Sequence, residues 1–179
     1  MLQYPPLPTW DSLHPLIVHF PIALLLVCPL FILIGAALSP QKARPYLISA
    51  FLLLVLGTGS LFLSARTGEA AIKAADRDPL IRVQLISHRA LAEETRDIFV
   101  TLCILAVGMA VLSRAEAAQR PAIAKILPLS FLAFYAVGII FLLNTADRGG
   151  RLVHEFGVHA PIEASTEQPA AEHDERVPD

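Results

Sequence analysis

The chain is short of charge and shorter of cysteine. Only 17% of its 179 residues are Asp, Glu, Lys or Arg, and the net charge is −2. With no cluster of Lys or Arg, that balance argues against a nucleic-acid partner. Cysteine occurs twice, at Cys28 and Cys103, each inside an apolar run. Both read as small buried hydrophobes and do not report the redox compartment. No Cys-x-x-Cys-His is present to attach haem covalently, and a phosphate-binding glycine loop is missing. There is no defensible Ser/His/Asp arrangement. The first 13 residues hold no Lys or Arg. A cleavable signal would need a positive n-region there, so the first apolar run is expected to stay as a membrane helix.

What the chain has in excess is apolar. Hydrophobic residues make up 55% and mean hydropathy is +0.58, against roughly 45–50% apolar for a soluble domain. A bilayer core of ~30 Å needs ~20 apolar residues in helical form. The pattern predicts an all-α, polytopic membrane protein, a four-transmembrane-helix bundle. Its helices are expected near 15–38, 45–66, 79–113 and 122–147, within a domain of residues 1–160. Residues 161–179 form an acidic tail of disorder-type composition. The third helix would run ~50 Å at the helical rise, longer than the bilayer. Its first half carries His88, Arg89, Glu93, Glu94, Arg96 and Asp97, which must leave the lipid or face a polar interior.

Residues 1–12 are Pro-rich and read as extended, with Trp10 as an interfacial anchor. Residues 67–78 read as a polar return along the surface, ending in the helix-start signal Asp78-Pro79. The Gly149-Gly150 pair reads as a helix break.

The stretch Leu13-His14-Pro15-Leu16-Ile17-Val18-His19-Phe20-Pro21 stands at the mouth of the first apolar run. The helix there starts either at Pro15, with His14 near the cap, or at Pro21, with His19 in an extended lead-in. Four alternating crossings put residues 1–14, 67–83 and 148–179 on one membrane face. Counting ~20 residues back from the far ends sets His19 at that border and His88 ~9 Å beyond it. His14, His154 and His159 join them, so five of the six histidines share one layer with Arg66, Arg89, Arg148 and Arg151. The two short loops on the other face carry Lys42, Arg44, Arg114, Arg120 and Lys125 against Glu116 alone. By the positive-inside rule those loops are cytoplasmic. The histidine face and both termini are then periplasmic, in a bacterial inner membrane.

Imidazole suits iron, copper, zinc and nickel, and histidines on separate helices are how bundles hold haem. The reading is a b-type haem with His19 and His88 as axial ligands and His14 and His154 as further candidates. Arg66, Arg89, Arg148 and Arg151 are candidate propionate partners. Gly57 and Gly59 would let a ring lie against the second helix, although Gly57, Ser60 and Ser64 also form an ordinary helix-packing face. A carboxylate-bridged di-iron site would need Glu-x-x-His spacings, and neither Glu93 nor Glu94 has a His three residues later. The function expected is electron transfer, as a protein or subunit working with a periplasmic cytochrome or oxidoreductase, rather than a stand-alone enzyme. Two alternatives stand beside it: a non-catalytic membrane anchor of a larger complex, and copper or zinc handling at the periplasmic face.

Three places in the sequence resemble a bacterial family of small four-helix membrane proteins known only as a domain of unknown function. They are His14-Pro15 through Val18-His19-Phe20-Pro21, then His88-Arg89-Ala90-Leu91-Ala92, then Gly149-Gly150-Arg151-Leu152-Val153 with Gly157-Val158. The resemblance covers residues ~13–158. It implies a polytopic bacterial membrane protein, and some relatives joined to c-type cytochrome domains imply electron transfer. Carried over residue by residue, it favours His14, His19 and His88. Relatives often place a histidine where Phe156 stands and an aromatic where His154 stands, a departure that leaves His154 without a matching role.

Overall fold

The structure is a computed structural model, which describes Trp10 and residues 12–75, 79–116 and 123–158. Expectations for residues 1–9, Asp78, residues 117–121, His159 and the tail lie outside the described residues; of the loop expected from Arg114 to Pro121, residues 114–116 are the end of the helix Pro79–Glu116. Five helices occur: α1 (His14–Ile17), α2 (His19–Ala37), α3 (Pro40–Ala75), α4 (Pro79–Glu116) and α5 (Ile123–His154). The described residues contain no strand. α2 packs on α3 and α5, and α4 packs on the same two, so the long helices close a four-membered ring. α1 lies against α3.

Proline decides the local breaks. Pro21 has no N–H for the Ile17 carbonyl and its ring crowds that carbonyl. The helix is interrupted at Val18, which separates α1 from α2. The next turn is shorter than the sequence suggested. Leu38 is extended, and the Ser39 carbonyl accepts the N–H of Lys42 and Ala43. Pro40 therefore sits in the first turn, where its missing N–H is harmless, and residues 41–45 are helix, not loop.

Two helices outrun their expected ends. α3 does not stop near 66; Thr67, Gly68 and Glu69 with the alanines that follow continue it to Ala75. Alanine and glutamate are strong helix formers, so a polar segment beyond the lipid stays helical. α5 runs straight through Gly149-Gly150 to His154. Each glycine weakens a helix by only about 1 kcal/mol, and this segment also packs on α4, with Gly149 against His88 and Arg148 donating to Ser87.

Three helical stretches are long and apolar enough to cross a membrane: His14–Ala37, Pro40–Ile72 and Ile126–His154. Among the described residues α4 is not one of them, because its charges fill the first half and leave an apolar run only from about Ile98 onward. In the most apolar window of each span only 22% is buried within the bundle. The outward residues are Leu30, Leu52, Leu56, Phe134 and Ile140, all exposed. Helices apolar on every side belong in lipid.

The core joins all four long helices through Leu25, Cys28, Ile32, Leu54, Phe99, Leu102, Phe131, Tyr135 and Leu142. Phe99 meets Tyr135 edge-on at 5.5 Å. α2 and α3 approach so closely that a Cβ on Gly57 would stand 2.6 Å from Leu25 Cδ2. Pro29, inside α2, removes the donor that the Leu25 carbonyl would otherwise take. Tyr135 supplies the replacement, its hydroxyl donating to Leu25 O at 2.9 Å from across the bundle. With no water in a bilayer core, that carbonyl has no other source of a proton.

Tyr135→Phe should therefore lower stability in detergent by about 1–2 kcal/mol. In a Pro29→Ala background, where a backbone N–H is restored, the same change should fall toward zero. Thermal unfolding of the double-mutant cycle checks this; equal losses in both backgrounds would contradict it.

Candidate functional site

Helix overrun builds the site. Because α3 and α5 extend past the lipid-facing runs, their last turns stand beside α1 and the head of α4. Each contributes a glycine as a seat for a histidine ring. A Cβ on Gly68 would lie 3.0 Å from His14 Cε1, and one on Gly149 would lie 3.1 Å from His88 Cε1. Glycine is what lets each imidazole lie against helix backbone.

His14 is fixed by α3. Its Nδ1 is 3.0 Å from the Ser64 carbonyl and 3.1 Å from Thr67 Oγ1. A carbonyl only accepts, so in the neutral ring Nδ1 carries the proton and Nε2 keeps its lone pair. Thr67, fully buried, in turn donates to the Leu63 or Ser64 carbonyl. Metal-binding histidines are commonly oriented this way, with the far nitrogen donating to a backbone carbonyl.

His88 is held differently. It is half-buried, and its Nδ1 has no hydrogen-bond partner. Burial holds its pKa below the ordinary imidazole value, and the positive charges of His14 and Arg148 act in the same direction, against the backbone of Thr145. Two turns further along α4, buried Thr95 meets Thr145 with the two hydroxyl oxygens 2.7 Å apart, clamping α4 to α5.

The remaining candidates are placed as follows. His19 opens α2 and is exposed, whereas His14 and His88 are half-buried. His154 closes α5 and is exposed. Arg66 is exposed. Arg89 is ion-paired with Glu69 at 3.0 Å and Glu93 at 2.9 Å, tying α3 to α4. Arg151 pairs with Glu155 at 3.0 Å. Arg148 donates to Ser87 Oγ. Gly57 lies under Leu25, and Gly59 faces outward with nothing near it. No group of three metal-type ligands occurs among the described residues. Sequence reasoning missed Thr67, Gly68 and the seat role of Gly149. The small-residue face through Gly57, Ser60 and Ser64 pointed on toward Gly68, one turn past Ser64, but a helix ending near 66 hid it.

Fold and site together define a helical, multi-pass membrane protein with a polar, histidine-bearing head. The chain belongs to the family of predicted membrane proteins DUF2231, whose model matches residues 11–161. No curated protein and no solved structure matches it.

The two adjacent glycines of α5 give a contrast to measure. A Cβ on Gly150 meets nothing within 4 Å, so Gly150→Ala should raise stability by up to about 1 kcal/mol through helix propensity. Gly149→Ala gains the same propensity but presses on His88, an overpacking worth about 1–3 kcal/mol, and should be neutral or destabilising. Unfolding midpoints in detergent check the pair; equal gains from both would remove Gly149 as the His88 seat.

Proposed function

We propose that the protein is a membrane-bound electron-transfer protein or subunit carrying a b-type haem, with His14 and His88 as its ligands. The observation that carries this reading is the pair of half-buried imidazoles, drawn from separate helices into one head layer. One has its Nδ1 committed to a carbonyl and its Nε2 open. The other has a buried Nδ1 without a partner. A donor set of two neutral imidazoles fits bis-histidine haem iron, and haem bound there supplies one-electron transfer.

The chain's own residues do the rest. The Ser64 carbonyl fixes the His14 tautomer and raises the basicity of its free nitrogen. Gly68 and Gly149 seat the rings, and Thr95 with Thr145 holds α4 to α5 behind them. In this reading α4 also crosses the bilayer, its apolar half packed between α3 and α5. The cationic turns at Lys42 and Arg44 then face the cytoplasm and the histidine head faces the periplasm, where a cytochrome or oxidoreductase partner would dock.

A second reading, an anchor subunit without cofactor, is favoured by one observation. Both rings already have packed seats, and Arg89 and Arg151 are already ion-paired within the chain.

Absorption spectra of the solubilised protein, expressed with ample haem, separate the two. The haem reading expects a Soret band that sharpens and shifts on reduction, is lost in His14→Ala and in His88→Ala, and survives in His19→Ala. Wild-type protein with no Soret band, or loss in His19→Ala alone, would overturn it.

A further inference from the structure

On the outer side of the same head, α4 and α5 enclose a cleft of about 240 Å³ lined by Gln84, Ser87, Arg148, Arg151, Leu152 and Phe156. We propose that this cleft holds the phosphate of an anionic phospholipid, with Arg148 as its main charge partner. The proposal does not rest on the haem reading.

The spacing gives each helix one working face. Gln84 and Ser87 are three apart on α4, and Arg148 and Arg151 are three apart on α5, so each pair projects on one side of its helix. Arg148 donates to the Ser87 hydroxyl and has no carboxylate partner among the described residues. Its guanidinium has five donors in a fork that matches a phosphate edge. Arg151 is held by Glu155, but that pair is exposed on both sides and of the weak surface kind.

Position and lining select a lipid source. The apolar run of α5 ends at Leu143, and Arg148 lies five residues on, ~7.5 Å along the axis. That is headgroup depth, where arginine meets lipid phosphate. The lining is not wholly polar, since Leu152 is buried and Phe156 half-buried. The volume is below the roughly 300–1,000 Å³ of pockets for drug-sized ligands, which suits a headgroup and not a macrocycle.

The test is thermal unfolding of the full chain in uncharged detergent with added phosphatidylglycerol, phosphatidylcholine or sodium phosphate. Phosphatidylglycerol should raise the midpoint saturably. Arg148→Gln should raise its half-saturating concentration about tenfold to a hundredfold, the equivalent of one or two charge-assisted hydrogen bonds. Arg44→Gln, at the opposite end of the bundle, should leave it unchanged. Equal protection by phosphatidylcholine, or no effect of Arg148→Gln, would overturn the site. Equal protection by sodium phosphate would overturn its lipid source. Should Arg148→Gln fail to fold, native mass spectrometry of the wild-type protein decides. Selective retention of phosphatidylglycerol during delipidation supports the proposal, and equal loss of both lipids refutes it.

Discussion

The hydrogen bond from His14 Nδ1 to the Ser64 carbonyl ties the short first helix to the third and sets the chemistry of the head. Val18, between α1 and α2, keeps helical backbone angles, and the two run as one stretch, His14–Ala37. The head of that stretch packs on α3, where Gly68 leaves room for the His14 ring. His19, just past Val18, is left on the exposed side. Five residues on a helix is a rotation of about 140°, which sorts the two histidines onto different faces.

The same logic runs through the lipid-embedded core. Where proline removes a donor, a distant side chain replaces it, as Tyr135 does for the Leu25 carbonyl. Where helices must approach, glycine makes the space, as Gly57 does beneath Leu25 and Gly138 does beside Phe99 and Leu102. Hydrophobic burial does little to discriminate one apolar packing from another in lipid. Backbone satisfaction and small-residue contacts therefore carry much of the specificity.

Much of the architecture was legible in the residues: helices only, apolar runs of membrane length, and a charged first half of α4 placed by Arg89, Glu93 and Asp97. The ends of helices were not. Composition marks where lipid ends, not where helix ends, so α3 was cut at 66 and α5 at Gly149-Gly150. Those missing turns carry Thr67, Gly68 and Gly149, the seats of the site. The histidine positions could be counted along the helices, but depth-counting does not say which face of the helix a ring takes, and that is what leaves His14 half-buried on α3 and His19 exposed. The cleft between α4 and α5 depends on Arg148 and Ser87, which only the packing of the two helices brings together.

The central claim is that α3 holds His14 as a ligand in waiting, its Nδ1 protonated and its Nε2 bare. Nitrogen-15 NMR of metal-free protein with labelled histidine, assigned by the signal lost in His14→Gln, reads this directly. At a pH where the ring is neutral, the account predicts a protonated Nδ1 and an unprotonated Nε2 for His14. An Nε2–H tautomer would mean that the Ser64 carbonyl does not hold the ring, and that the proposed ligand nitrogen is not free.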